Sequence, residues 1–248
     1  MAGTFQVREI KVTSWINQNT VWLSFEGGID AQPGQFVMVW LPNVGEKPFC
    51  IASTHPFGLL VVDVGPFSHA MLQLKIGDRV WVKGPLGRGF SIEGDKILLV
   101  AGGYGSAPLL SLAQRACTQG KKVSVCLGAK DQEGLLLSDE FVELGCQVSL
   151  ATEDGSCGTR GLVTTIVEEV IREWDVDTLY ACGPVGLLSA LAKLCHQYLL
   201  NYQLSWEAHM RCGMGLCGSC EVPISFDSSL SVGWLACYDG PVFVKRWD

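Results

Sequence analysis

The sequence has little charge, and the charge that it has is not basic. Asp, Glu, Lys and Arg make up 17% of the 248 residues, and the formal net charge is −7. Proteins that bind nucleic acid need a basic surface to neutralise phosphates. The composition therefore argues against a nucleic acid partner.

Two further patterns are missing, a secretory leader and an uninterrupted apolar span. The opening residues, MAGTFQVREIKV, contain no basic segment followed by an apolar run. The longest uncharged stretch, residues 97–114, approaches the length of a membrane helix. However, it is interrupted by Gly102, Gly103, Gly105 and Pro108, which is typical of a strand, a glycine turn and a helix. We therefore expect a cytoplasmic protein without a membrane partner.

Cysteine is abundant, with 11 residues in the chain. An odd number without a leader argues against a disulfide framework. Seven cysteines lie scattered among apolar neighbours and are expected to be small buried side chains. The other four are clustered near the end of the chain: Cys212, Cys217, Cys220 and Cys237.

Hydrophobic patterning predicts two sheet-based parts and an appendix. The first ninety or so residues alternate apolar and polar positions in short runs separated by turn sequences, which predicts an antiparallel β-barrel. From Asp95 onward, continuous apolar runs alternate with amphipathic helical spacing, which predicts a parallel sheet covered by helices on both faces. The remaining tail is too short for its own core and is expected to be stabilised by a metal. The predicted boundaries are 1–92, 93–203 and 204–248.

Two glycine-rich turns follow strands of the predicted parallel sheet, VAGGYGSAPLL at residues 100–110 and YACGPVGLL at residues 180–188. Glycines at a helix N-terminus let the phosphates of a nucleotide approach backbone N–H groups, where the helix dipole favours negative charge. A tight strand–helix turn without a ligand is the alternative for each motif. The candidate nucleotide-binding residues are Gly102, Gly103, Gly105, Gly183 and Pro184, and Cys182 is expected to face the same crevice.

Three other segments are candidates for binding. The loop TEDGSCGTRG, which contains Asp154, is expected at the same sheet edge, although an ordinary loop has the same composition. The segment GPLGRGF, with Gly87, Gly89 and Phe90, permits sharp turns and close backbone approach. Lys47 stands at the head of a predicted strand, where it meets a phosphate or is simply solvated.

The four clustered cysteines have the spacing of an iron–sulfur site. Cys212, Cys217 and Cys220 form C-x4-C-x2-C, and sixteen residues separate Cys220 from Cys237. A distant fourth cysteine after this spacing is typical of plant-type [2Fe–2S] clusters. Structural zinc, which prefers paired C-x2-C knuckles, and unliganded thiols are the two alternatives.

Taken together, the three parts resemble the ferredoxin-reductase-like flavoproteins. More narrowly, they resemble the electron transfer subunits of the NAD-linked, two-subunit dihydroorotate dehydrogenases. The resemblance covers essentially the whole chain, and its most specific segments are MRCGMGLCGSCE and ACYDGPVF. It implies an FAD-binding β-barrel in residues 1–92, a Rossmann-like NAD-binding domain in residues 93–203 and a [2Fe–2S] segment in residues 204–248.

The resemblance also implies a set of flavin contacts. KPFCIA corresponds to a flavin-contacting R-P-x-S segment, in which Lys here replaces Arg and Cys replaces Ser. VGPFSHAML corresponds to a V-G-x-G-T segment that grips the FAD pyrophosphate, with Phe67 in place of a glycine. The implied FAD residues are Lys47, Pro48, Phe49, Cys50, Val64, Gly65, Ser68, Gly87, Gly89, Phe90, Asp239 and Gly240.

The implied function is electron transfer between a partner dehydrogenase and NAD through the cluster and FAD. Cys182, in the nicotinamide pocket, is the candidate catalytic residue. The implied partner is an FMN-containing dihydroorotate dehydrogenase catalytic subunit in a heterotetramer with two copies of each chain. Asp131 and Glu133 outnumber Lys130 after the second strand of the α/β part, which favours NAD over NADP.

Two other functions fit the same residues. An electron transfer subunit of a hydrogenase, sulfur reductase or ferredoxin:NAD(P) transhydrogenase would have the same three parts. A zinc-binding regulatory or scaffold protein would use the cysteines without flavin or iron.

Overall fold

The computed structural model describes residues 4–227 and 230–247. These residues form two compact units, of which the first contains residues 4–89 and 208–241 and the second contains residues 90–207 and 242–247. Among the described residues, the helices are all too short or too polar to cross a membrane.

The first unit is built on seven antiparallel strands in the order β4-β3-β7-β1-β2-β6-β5. A short helix, α1, covers one side of the barrel, and alternating apolar residues of the strands form a core that includes Ile10, Leu23, Val39 and Phe57. The elements are β1 Gln6–Asn17, β2 Thr20–Phe25, β3 Phe36–Leu41, β4 Gly45–Cys50, β5 Ser53–Thr54, β6 Phe57–Val62, α1 Pro66–Leu72 and β7 Arg79–Leu86.

The second unit is a seven-stranded sheet in the order β11-β10-β9-β8-β12-β13-β14. All neighbouring strands are parallel except β13 and β14, which are antiparallel. The strands are β8 Lys96–Gly102, β9 Lys122–Ala129, β10 Gln147–Thr152, β11 Thr159–Arg160, β12 Thr178–Cys182, β13 Asn201–Ser205 and β14 Val242–Lys245. The helices are α2 Ser106–Thr118, α3 Ser138–Glu143, α4 Val163–Trp174 and α5 Val185–Tyr198.

The predicted fold class, an antiparallel barrel followed by a parallel sheet with helices, is confirmed. The structure groups the tail differently from the predicted segment 204–248. Residues 208–241 belong to the barrel unit, and β14 extends the sheet of the second unit. A segment of this length buries too little apolar surface to form a separate core, so it packs on existing elements.

Candidate functional site

The four predicted cluster ligands lie together in the first unit. The backbone N–H of Gly215 donates to Cys237 Sγ at 3.1 Å, and Ala236 N–H donates to the carbonyl of Cys220 at 3.1 Å. These two bonds join residues 212–220 to the distant fourth cysteine. Backbone N–H groups that point at thiolates are also the groups that stabilise a reduced cluster.

The loop can turn this tightly because of its glycines. Gly213 has φ +69°, and a Cβ there would lie 2.7 Å from Cγ of Met38 on β3. Gly215 has φ +78°, and a Cβ there would lie 3.1 Å from Cβ of Tyr238. Both positions therefore need glycine for conformation and for space.

The thiols interact with one another: Cys212 acts on Cys217, and both Cys220 and Cys212 act on Cys237. The Ser219 hydroxyl, 3.1 Å from Cys217 Sγ, and then the backbone of Ser219 and Cys212 lower the pKa of Cys217 to about 6. Burial, followed by the neighbouring Cys220, raises the pKa of Cys237 to about 12. Cys217 thus supplies a thiolate near neutral pH, whereas the Cys237 thiol needs a metal to lose its proton.

The number and spacing of these cysteines fit a [2Fe–2S] cluster, which takes four thiolates. Within residues 4–227 and 230–247, no three His, Cys, Asp or Glu side chains form a ready-made site for a single metal ion.

The segment GPLGRGF packs on the end of the cysteine tail. A Cβ on Gly87 would lie 2.5 Å from the carbonyl oxygen of Gly240, and Arg88 N–H donates to the same oxygen. A Cβ on Gly89 would lie 2.3 Å from the carbonyl oxygen of Pro33. Asp239 Oδ2 accepts from Leu235 N–H at 2.8 Å and closes the turn that contains Cys237. Packing and turn formation account for these residues, and their flavin contacts stay a prediction.

The implied flavin segments lie on β4 and at the start of α1. Lys47 is exposed, whereas Pro48, Phe49 and Cys50 are half-buried. Phe67, which replaces a glycine of the family pattern, is buried in the barrel core and contacts the ring of Phe49 with a centroid distance of 6.0 Å. Its side chain therefore leaves the outer side of the turn open.

The turn before α1 has the features of a phosphate-binding turn. Ser68 Oγ accepts from Val64 N–H at 2.8 Å and donates to the carbonyl of Gly65 at 2.9 Å. A Cβ on Gly65 would meet no atom within 4 Å among the described residues. The backbone at Gly65 is thus accessible to a ligand, and the contact of this turn with the pyrophosphate of FAD stays a prediction.

In the second unit, the two predicted glycine turns lie side by side. β8 and β12 are parallel neighbours, with Ala101 opposite Cys182, so both turns leave the carboxyl edge of the sheet. A Cβ on Gly105 would lie 2.2 Å from the carbonyl oxygen of Cys182, and one on Gly102 would lie 2.9 Å from Cδ of Pro184. Cys182 itself is 2% exposed, and its catalytic role stays a prediction.

The sequence interpretation missed two residues at this edge, Tyr104 and Glu207. The hydroxyl of Tyr104, in the turn after β8, donates to Oε2 of Glu207 at 3.0 Å. Oε1 of Glu207 is buried and has no hydrogen-bond partner among the described residues. Burial raises the pKa of Glu207, although the hydrogen bond from Tyr104 opposes the shift. The available signal was an acid two residues after β13, at the edge where α/β sheets bind ligands.

Asp154 has a structural role in its loop. Its Oδ1 accepts from N–H and Oγ of Ser156 at 2.9 and 2.7 Å, and these bonds lower the pKa of Asp154. Ser156 Oγ in turn accepts from Gln132 N–H at 2.8 Å, which joins this loop to the segment after β9. Contact of Asp154 with NAD stays a prediction.

Family models match two parts of the chain. Residues 207–246 match the iron–sulfur cluster binding domain of dihydroorotate dehydrogenase B, and residues 99–193 match the oxidoreductase NAD-binding domain. The predicted set of cofactors, FAD, NAD and a [2Fe–2S] cluster, agrees with these domains and with the fold.

Curated relatives match over most of the chain. A probable dihydroorotate dehydrogenase B (NAD(+)) electron transfer subunit from Methanocaldococcus jannaschii is 40% identical, over 86% of this chain and 79% of its own. A protein of the same description from Thermococcus kodakarensis is 39% identical, over 88% of this chain and 87% of its own.

A solved structure extends the likeness to the fold of nearly the whole chain. It is an NADH-dependent reduced ferredoxin-NADP oxidoreductase, studied for flavin-based electron bifurcation, with 30% identity and a TM-score of 0.85. The match covers 98% of this chain and 90% of that one. The curated relatives, which are 39–40% identical to this chain and matched over 79–87% of their own length, show that the chain belongs to the oxidoreductase family of dihydroorotate dehydrogenase B electron transfer subunits.

Proposed function

We propose that the chain transfers electrons from dihydroorotate, oxidised on a partner catalytic subunit, to NAD⁺ through a [2Fe–2S] cluster and FAD. The observation that carries this proposal is the set of four cysteines that the fold brings together, in a chain whose relatives are electron transfer subunits. FAD supplies the step between one-electron transfer at an iron–sulfur cluster and two-electron hydride transfer at nicotinamide.

At the cluster end, the chain binds and orients. Cys212, Cys217, Cys220 and Cys237 would hold the irons, and the Gly215 N–H, directed at Cys237 Sγ, would stabilise negative charge on the sulfur. At the flavin end, Gly65 and Ser68 present the backbone to the pyrophosphate, and Lys47 supplies a cation from the exposed side of β4.

At the nicotinamide end, the glycine turns before α2 and α5 receive the phosphates of NAD. We infer that Glu207, held by Tyr104, recognises the carboxamide of the nicotinamide. Its buried Oε1 lacks a partner among the described residues, and an amide N–H would satisfy it. Cys182 lies at the end of β12, the strand between β8 and β13.

The partner docks on the exposed side of the cluster segment. Leu216 and Tyr238, which flank the cysteines, are 81% and 63% exposed, and Met214 is also exposed. Apolar side chains with this exposure, close to an exposed Cys217, suit an interface through which single electrons leave. We propose an FMN-containing catalytic subunit there, in a cytoplasmic heterotetramer with two copies of each chain.

Anaerobic purification of the chain with a dihydroorotate-oxidising subunit tests the proposal. The complex is expected to contain FAD, iron and sulfide and to reduce NAD⁺ with dihydroorotate. A complex without flavin absorbance or iron would contradict the electron transfer function, and stoichiometric zinc would favour a structural metal.

A second candidate function follows from the structural likeness to the ferredoxin-NADP oxidoreductase. If the purified chain exchanged electrons with reduced ferredoxin and not with the dihydroorotate-oxidising subunit, that function would replace the first. Both candidates use the same cofactors, so only the partner distinguishes them.

A further inference from the structure

The barrel contains a buried cation that none of the proposed binding roles uses. The side chain of Lys83, on β7, is 6% exposed. Its Nζ lies 3.0 Å from Oε1 of Glu46, an ion pair without hydrogen-bond alignment, and 5.1 Å from the ring centroid of Phe5. Burying an ammonium group is costly, so a lysine at such a position needs a compensating interaction.

Besides the ion pair with Glu46, Lys83 has a second compensating interaction, which is with the cysteine loop. Lys83 Nζ donates to the backbone carbonyl of Cys212 at 3.3 Å, across 129 positions of sequence. Lys83 is opposite Met38 in the β3–β7 ladder, and the adjacent Gly213 packs on Met38 and Leu86. The sheet register therefore places the ammonium within hydrogen-bonding distance of the backbone of the first predicted cluster cysteine.

Glu46 connects the Lys83 ammonium to β4, the strand that contains several of the predicted flavin contacts. It lies on β4, next to Lys47 and opposite Trp40 of β3. Its side chain is 27% exposed, so it only partly neutralises Lys83, which is more deeply buried.

We propose that Lys83 is a positioning residue that also sets the reduction potential of the cluster, and that Glu46 moderates its effect. The inference rests on the proposed function. Lys83 holds the Cys212 backbone in place, and its fixed charge stabilises the unit of negative charge that arrives with each electron. Net charge, hydrogen bonding and burial are the factors that set iron–sulfur potentials, and a charge in a low-dielectric site acts strongly.

The opposite charges of the pair allow a test with opposite signs. Lys83→Met should shift the midpoint potential of the cluster to a more negative value, and Glu46→Gln should shift it to a more positive value. Lys83→Arg keeps the charge and should have a midpoint potential near that of the unmodified protein. The measurement is a dithionite titration of the purified holoprotein followed by electron paramagnetic resonance, with iron and flavin contents determined for each variant.

The midpoint potentials distinguish an electrostatic role of Lys83 from a purely structural one. If Lys83 only braced the loop, Lys83→Met would lose iron while Glu46→Gln left the potential unchanged, and the proposal would be overturned. Shifts of the same sign in Lys83→Met and Glu46→Gln would also overturn it. If Lys83→Met retains no cluster, the sign of the Glu46→Gln shift decides alone. Absence of a reduced [2Fe–2S] signal in the unmodified protein would instead refute the proposed function.

Discussion

At the scale of single residues, Cys217 differs from Cys220 and Cys237 in being exposed. Ser219 is the largest cause of the lowered pKa of its thiol, and the single hydroxyl hydrogen of Ser219 is shared between Cys217 Sγ at 3.1 Å and the carbonyl oxygen of His209 at 3.0 Å. Cys217 therefore lies at the solvent side of the loop, where a cluster ligand can pass electrons outward.

Cys217→Ser should abolish cluster binding, because serine is a poor ligand for iron that a thiolate otherwise holds. Electron transfer to the catalytic subunit should fall to background, whereas NADH oxidation by an artificial dye through FAD should persist. Iron analysis and the two assays measure this directly.

Cys157→Ser is the matched control, since Cys157 lies in a loop of the second unit. It should leave iron content and both activities unchanged. Survival of both activities in Cys217→Ser would show that the ligand assignment is wrong.

Ionisation of Glu207 makes the stability of the fold depend on pH. Burial raises its folded-state pKa above the ordinary 4.5, so ionisation destabilises the fold. The stability that the fold gains from keeping Glu207 protonated is fully present below pH 4.5, where Glu207 is protonated in both the folded and the unfolded chain. This stability is lost as the pH rises through the folded-state pKa.

Glu207→Gln removes the cost of ionisation and should raise the melting temperature above that of the unmodified protein at pH 8. The difference should shrink towards pH 4.5. The variant should also raise KM for NADH, by about tenfold if one charge-assisted hydrogen bond is lost.

Thermal melts across this pH range and steady-state kinetics with a dye acceptor measure both effects. Glu143, exposed at the end of α3, provides the control variant Glu143→Gln. A pH-independent difference for Glu207→Gln would contradict burial as the cause.

At the scale of elements, the strands and helices with clear periodicity were predictable, and those fixed by tertiary pairing were not. The partial alternation in β1 and the apolar runs of β2, β3 and β8 indicate their strands directly. Residues 41–48 have turn composition, yet β4 begins at Gly45 because it pairs along the whole of β3.

The site divides in the same way. Four cysteines at a characteristic spacing, and two glycine turns after apolar strands, are visible in the sequence. The hydrogen bonds from Lys83 to Cys212 and from Tyr104 to Glu207 are not visible in the sequence. Each pair is brought together by sheet topology across about a hundred residues or more.

The packing of the two glycine turns gives an element-scale prediction. Gly105→Ala would place a Cβ 2.2 Å from the Cys182 carbonyl oxygen and must move the β8 turn away from the β12 turn. We expect a loss of about 2 kcal/mol in stability and a marked loss of NADH affinity.

Gly186→Ala is the matched control in the neighbouring helix α5. A Cβ there meets no described atom within 4 Å, and the residue is helical, so alanine should be neutral or stabilise by about 0.5–1 kcal/mol. Chemical denaturation measures the stability of Gly105→Ala and Gly186→Ala, and NADH titration measures their affinity for NADH. Equal losses in the two variants would refute the packing argument.

At the scale of the whole molecule, the chain leaves the barrel unit at residue 89 and returns to it at residue 208 with the cysteine segment. The predicted FAD residues before Phe90 and the four cluster ligands therefore belong to one compact unit, and the NAD-binding turns belong to the other. We therefore expect one-electron exchange between flavin and cluster to depend on packing within a single unit.

Leu216→Glu tests whether electrons leave through the exposed side of this segment. Placing a charge on an exposed apolar side chain costs the free chain little, but it must be desolvated in an interface. Affinity for the catalytic subunit should fall at least about tenfold, as for an interface residue that contributes more than 1 kcal/mol. Binding titrations measure the loss, while the iron content and NADH–dye activity of the free chain should not change.

The control is Leu162→Glu, at a leucine that is 61% exposed in the second unit. Because both variants add the same charge, a general electrostatic effect on association would weaken binding in both. A loss confined to Leu216→Glu would place the partner at the cluster segment, next to Cys217. Unchanged affinity in Leu216→Glu would assign the interface to another surface and would require the electron to leave the cluster by another route.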